Sequence, residues 1–113
     1  MAVAQFVQDG KSIDYTPGAD VSAGDIVVQG DLLGVAKLDI AVNQLGALAV
    51  DGVFDIDKAT GVGTGIAVGT KVYWDATNKQ ATADDNSGAN KYLGKTTATA
   101  GDDDAKVRVR LEQ

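Results

Sequence analysis

Turn-forming residues recur so often along this chain that they divide it into short apolar runs. The 113 residues include 14 glycines, and clusters of Asp, Asn and Ser lie between the runs. Such clusters mark turns, and the runs between them are rich in valine and other strand-forming residues. The pattern predicts an all-β, single-domain barrel or sandwich of about eight to ten short strands with little or no helix. We expect this domain to span residues 1–113, with residues 1–16 forming an N-terminal arm or hairpin.

The N-terminal segment carries the first strong local signal. Asp9 and Gly10 predict a two-residue hairpin turn, because a type I′ turn needs positive φ at both central positions. The resulting register would place Phe6 opposite Ile13. The sequence "MAVAQFV" before the turn is apolar and extended. Two interpretations remain open: it adds as a strand to a neighbouring chain, or it is the first strand of the domain's own sheet.

Further along, alternation predicts the remaining strands. Residues 25–29 and 32–37 read as a hairpin closed by Gly30 and Asp31, and Gly34 within it predicts a close backbone approach. Residues 40–46 read as a loop and residues 48–58 as one bent strand. Four more strands are expected, at residues 71–74, 80–83, 92–97 and 105–111. In the last of them, Val107, Val109 and Leu111 should face the core while Lys106, Arg108 and Arg110 face solvent.

A faint internal echo joins two distant segments. Residues 23–30 read "AGDIVVQG" and residues 68–75 read "VGTKVYWD". Each opens with a small or branched residue, then glycine, then a strand. Two copies this weak do not establish a repeat.

The stretch "TGVGTGIAVGTKVYWD" at residues 60–75 resembles a phosphate-binding loop only superficially. A P-loop requires lysine directly after its second glycine, whereas Thr70 separates Gly69 from Lys71. The dinucleotide-binding spacing fails as well. Both motifs also need a helix after the loop, and "KVYW" is a strand. The stretch therefore predicts a flexible connection and no nucleotide site.

Composition removes further kinds of chemistry. The chain has no cysteine and no histidine, so it lacks disulfides, thiolate ligands and the commonest general base. A net charge of −6 argues against nucleic-acid binding. No run of about 18 apolar residues exists to span a membrane. The acidic stretches at residues 84–88 and 101–105 do not fit a calcium loop, and Asp55 and Asp57 read as surface charges. We expect no catalytic residue, metal, cofactor or small-molecule substrate.

Adjacent aromatic residues provide a further candidate for partner contact. Tyr73 and Trp74 are neighbours in a predicted strand and must point to opposite faces. One should be buried, and the other should lie at the rim or in a subunit interface. Together with the N-terminal segment, this gives the predicted partner-binding residues Ala2, Val3, Ala4, Gln5, Phe6, Val7 and Trp74.

Several phrases, taken in order, resemble the phage capsid cement (decoration) proteins, a family once known only as a domain of unknown function. They are "FVQDGKSIDY", "VSAGDIVVQGDLLGVA", "DGVFDIDKA", "VGTKVYWDATNKQAT" and "YLGKTTATAGDDDAKVRVRL". The similarity runs over nearly the whole chain. Some relatives carry the label of RecA-like recombinases, which the absent ATP-binding loop does not support here.

The resemblance implies a structural, non-enzymatic protein made in the host bacterial cytoplasm. Members of the family bind the outer capsid surface of the virion, typically as trimers at threefold and quasi-threefold positions. The implied partners are the major capsid protein and further copies of this chain. Two other hypotheses remain: a generic β-barrel module that binds glycan or nucleic acid, and an enzyme that uses aspartates with a metal.

Overall fold

The computed structural model describes residues 3–113 and is all-β, which confirms the predicted fold class. Over these residues the only helical element is a short 3₁₀ turn at Asn86–Gly88. The strands are β1 Ser12–Tyr15, β2 Ile26–Gln29, β3 Leu32–Ala36, β4 Gly46–Ala49, β5 Asp51–Asp57, β6 Lys71–Asp75, β7 Gln80–Thr82, β8 Lys91–Thr96 and β9 Lys106–Glu112.

The strands form two antiparallel sheets. A four-stranded sheet has the order β1-β4-β3-β2, and a five-stranded sheet has the order β5-β9-β8-β6-β7. Lys58, just beyond β5, forms an isolated bridge with Ala81 of β7. This bridge joins the two edges of the five-stranded sheet, so the sheet curls towards a closed barrel.

The two sheets are built on the same plan. Replacing β1, β2, β3 and β4 by β5, β6, β8 and β9 converts the first strand order into the second, and among the described strands β7 is the only addition. We call residues 12–49 the first unit and residues 51–112 the second unit. Over residues 3–113, every strand pairing and isolated bridge lies within one unit.

Backbone hydrogen bonds repeat with the strands. In the first unit Gly24 N–H donates to Ala36 O at 2.6 Å, and in the second Gly69 N–H donates to Thr96 O at 2.9 Å. Both glycines have positive φ. The loops before and after these strands also match, through bridges between Val21 and Ile40 and between Ile66 and Ala100. The sequence echo at residues 23–30 and 68–75 thus marks a real structural repeat.

Each unit has its own apolar core, and the two cores differ in completeness. The first core has three buried residues, Ala36, Ile40 and Leu48, with Ile13, Tyr15, Val21 and Val27 only partly buried around them. The second core is larger and also takes in Leu33 and Val35 from β3 of the first unit. Packing of β3 on the second core therefore holds the two units together.

Most predicted strands are confirmed, but the N-terminal hairpin is wrong. Residues 3–9 form no strand, and β1 pairs with β4 in a register that joins Ile13 to Leu48. Neither Asp9 nor Gly10 has positive φ. The type I′ turn that would have folded the segment back is therefore absent.

The predicted single strand at residues 48–58 is also wrong. The structure divides it into β4 and β5, which belong to different sheets. Between them lies Val50, which is buried and donates its N–H to Lys11 O at 3.0 Å. Leu48, Ala49 and Val50 are buried in succession, so the alternation expected of one strand is broken where the chain passes from one sheet to the other.

Candidate partner-binding surfaces

The N-terminal arm, residues 3–9, is extended and exposed. Val3, Phe6 and Val7 are 93%, 80% and 84% accessible. The arm's side-chain tie to the domain is a hydrogen bond from Gln8 Nε2 to Ser12 O at 2.8 Å. Ala2, also predicted as a partner-binding residue, lies outside the described residues. Large apolar side chains this exposed on an unpaired segment are suited to contact with another chain.

Trp74 lies beside the junction of the two units. Its side chain is half-buried and packs against the second core. It lines a cavity of about 280 Å³ together with Ile26, Val35 and Phe54. A second cavity of about 480 Å³ also reaches Trp74 and follows β2 past Val27. Trp74 therefore stands where a further apolar side chain could pack against both units.

Tyr73 is half-buried as well, so the expectation that one of the two adjacent aromatics is fully buried is wrong. Its ring packs edge-on against Tyr92, with ring centroids 5.8 Å apart. Tyr92 donates its hydroxyl to Glu112 Oε2 at 2.9 Å. Burial and this hydrogen bond to a carboxylate raise the pKa of Tyr92 to about 12. The aromatic pair belongs to a polar surface around Lys71, Lys95 and Glu112.

The basic row of β9 faces solvent as predicted, and its neighbours on β5 neutralise most of it. Lys106 Nζ lies 2.6 Å from Asp57 Oδ1, and Arg108 Nε lies 2.9 Å from Asp55 Oδ1. The hydrogen bond from Arg108 is the largest cause that lowers the pKa of Asp55 below its ordinary value. Asp55 and Asp57 are surface charges, as expected, and their pairing leaves no strongly basic stripe for nucleic acid on this part of the sheet.

Lys58 is a buried cation that sequence reasoning missed. It is 6% exposed, and its Nζ donates to the carbonyl oxygens of Ala59, Gly101 and Asp104 at 2.7, 3.0 and 2.8 Å. All three donors of the ammonium are thereby used. Lys58 is a structural clamp between the end of β5 and the loop before β9.

The glycine-rich stretch at residues 60–75 is a set of turns held by carboxylate and carbonyl groups. Gly61, Gly63 and Gly69 have positive φ. Gly65 N–H donates to Asp102 Oδ1 at 2.8 Å, and Gly61 N–H donates to Asp102 O at 2.8 Å. The Asp102 carboxylate thus accepts the hydrogen bond of a backbone N–H group that a bound phosphate would need as a donor. Strand β6 follows, as the sequence predicted.

The acidic loops also use their carboxylates internally. Asp85 Oδ1 accepts from Ser87 N–H at 3.2 Å, and Asp104 Oδ2 accepts from Gly101 N–H at 2.8 Å. Within residues 3–113, no group of three potential ligands is placed to hold a metal ion. Among the same residues, no helix is long and apolar enough to cross a membrane.

The described residues thus form a β protein that exposes apolar side chains on an unpaired arm and carries ion pairs on its polar faces. A β protein of this class is suited to binding other protein chains. The chain belongs to the phage cement protein family: the family model matches residues 7–111. This confirms the resemblance, and the family is one of structural proteins associated with the phage capsid. No curated protein and no solved structure matches the chain.

Proposed function

We propose that this protein binds the outer surface of an assembled phage capsid and stabilises the shell by clamping adjacent major capsid subunits. It acts as a trimer at threefold and quasi-threefold positions. Family membership supports the capsid as the partner. The observation that carries the proposal is the arm, whose apolar residues Val3, Phe6 and Val7 are exposed and form no strand within their own chain.

The mechanism is thermodynamic. A protein that binds only the assembled shell lowers the free energy of that state by mass action. A trimer offers three copies of each contact surface, so several modest contacts act together through a high effective concentration. Backbone pairing by the arm, with a capsid subunit or with a neighbouring copy, adds main-chain hydrogen bonds, and the side chains of the arm add apolar burial. Trp74 adds apolar contact area between neighbouring copies, since part of its indole remains accessible at the junction of the units.

Co-sedimentation with purified capsids lacking the protein tests this function. The full chain should pellet with expanded heads and raise the temperature at which they release DNA. A variant lacking residues 2–7 should lose most of its binding. Val62→Ser is the matched control, because Val62 is fully exposed on a different loop. Equal binding by the truncated and full-length proteins would remove the arm's role, and no binding by the full-length protein would reject the capsid function itself.

A further inference from the structure

The second unit contains a strand that closes its barrel. Strand β7 pairs with the outer edge of β6, in a register that joins Trp74 to Ala81. Ala81 also bridges to Lys58 beyond β5. Its side chain is 2% exposed and belongs to the second core. Strand β7 thus pairs with the backbone groups at the outer edge of β6. It also contributes a buried side chain that completes the second core.

The first unit has the same edges without such a strand. Among the described residues, β2 pairs only with β3, and β1 pairs only with β4. The turn at Gly30 and Asp31 directs the N–H groups of Gln29 and Val27 towards β3. The N–H groups of Ile26 and Val28 therefore point to the free edge. We call the gap between the free edges of β1 and β2 the open side.

The core behind the open side is incomplete. Val27 on β2 and Tyr15 on β1 are only partly buried, although their counterparts Val72 and Ile56 in the second unit are 0% and 7% exposed. One additional strand with apolar side chains would bury the first pair as β7 helps to bury the second. Removing this apolar surface from water favours a bound strand.

We propose that the open side is filled by the arm of a second copy of this chain, which takes the place that β7 holds in the second unit. The arm is uncharged between Val3 and Gln8 and rich in side chains suited to strands. It is extended and forms no strand within its own chain. The arm leads directly into β1 at one edge of the first sheet, whereas the receiving strand β2 lies at the opposite edge of that sheet.

Trp74 connects the two parts of the predicted partner-binding set. The cavity of about 480 Å³ lies along β2 between Val21, Val27 and Trp74. An arm paired with β2 would place Phe6 or Val7 within reach of this cavity. The arm and Trp74 then form one interface, contributed by two copies.

The interface is head-to-tail, because an arm on one copy meets an open side on the next. Such heterologous contacts close into a ring when the rotation between copies allows it. Three contacts of this kind generate a trimer. This interface rests on the proposed function and adds the identity of one partner, which is a second copy of the chain. It is expected to form in purified protein in the absence of capsids.

Two complementary variants test the interface. One lacks residues 2–9 and keeps the open side; the other, Val28→Pro, keeps the arm and loses the outward N–H of β2. Each alone should sediment as a monomer, and an equimolar mixture should form a 1:1 dimer. Val28→Thr is the matched control, because it keeps both the amide and a β-branched side chain, and it should assemble like the unmodified chain. Assembly of Val28→Pro to the same extent, or no dimer in the mixture, would overturn the proposal.

A peptide measurement decides the matter even if Val28→Pro fails to fold. Trp74 is the single tryptophan, so its emission reports on the cavity. A peptide of residues 1–9 should bind the truncated variant saturably and shift this emission to the blue, while a scrambled peptide should not. The absence of a shift up to about 1 mM peptide would contradict the proposal, because binding would then be weaker than a free energy of roughly −4 kcal/mol. Failure here leaves capsid binding testable by sedimentation with heads, and failure to bind heads leaves this interface intact.

Discussion

Gly34 and Gly94 occupy equivalent positions in the two units: Gly34 pairs with Val27 across β2 and β3, and Gly94 pairs with Val72 across β6 and β8. Both sites exclude a side chain. A Cβ at Gly34 would lie 2.6 Å from Leu48 Cβ, and one at Gly94 would lie 1.9 Å from the carbonyl oxygen of Arg110. The repeated strand plan thus includes a repeated close approach between neighbouring strands.

These two close approaches predict that alanine substitutions at Gly34 and Gly94 lower the stability of the protein by different amounts. Gly94→Ala should destabilise the protein by about 3 kcal/mol or more, because its Cβ would overlap backbone that cannot move independently. Gly34→Ala should cost about 1–3 kcal/mol, because its nearest contact, Leu48 Cβ, is fixed to the backbone but lies farther away than the atom at Gly94. Gly18→Ala, where no heavy atom lies within 4 Å, is the control. Urea unfolding measures all three, and equal stability of the Gly94 and Gly18 variants would contradict the clash.

Removing the Lys58 ammonium should destabilise the second unit. In Lys58→Met, three carbonyl oxygens lose a buried donor that lies 2.7–3.0 Å away. We expect a loss of about 2–4 kcal/mol in the free energy of unfolding. Lys71→Met alters an exposed lysine and should change stability by less than about 0.5 kcal/mol. A thermal unfolding comparison that finds the two variants alike would show that Lys58 is not a clamp.

The ion pair between Arg108 and Asp55 should protect the fold in moderate acid. The hydrogen bond from Arg108 holds the pKa of Asp55 below its ordinary value of 3.8. The stabilisation is therefore present above this value and is lost as the pH falls through the lowered pKa. In Arg108→Gln, the carboxyl resonance of Asp55 should titrate at higher pH in an NMR experiment. The control is Arg110→Gln, because Arg110 pairs with Glu112 instead. An unchanged Asp55 titration in Arg108→Gln would rule out this cause.

At high pH, ionisation of Tyr92 should lower the stability of the fold. Its pKa is raised from 10.0 to about 12, first by burial and then by the hydrogen bond to Glu112. Between these values the folded chain keeps a proton that the unfolded chain loses, so stability falls as the pH rises. Absorbance of phenolate should show a component with a midpoint near 12, absent in Tyr92→Phe and present in Tyr15→Phe. Persistence of that component in Tyr92→Phe would assign it to another tyrosine.

Local signals in the sequence were sufficient for most individual strands. The hairpin closed by Gly30 and Asp31, and the alternation of Val107, Val109 and Leu111, involve neighbours in sequence and are confirmed. The fold class follows from the same signals. The arm and Trp74 remain predicted partner contacts.

Long-range relationships could not be read in the same way. The repeat was visible only as a weak echo, because the additional β7 and its loop disturb the spacing between equivalent strands. Two of the carbonyl oxygens bound by Lys58 are 43 and 46 residues away in sequence. The end of β4 at Ala49 was missed, because the apolar run through Leu48, Ala49 and Val50 carries no turn-forming residue at the change of sheet.

The separation of strand pairings into two consecutive halves also affects how the polypeptide emerges from the ribosome. Every partner of β1 to β4 has been synthesised by Ala49, so the amino-terminal half can form its sheet while the remainder is still being translated. Leu33 and Val35 then stay uncovered until the carboxy-terminal half arrives. Translation order would thus make the earlier half a template on which the later half completes its folding.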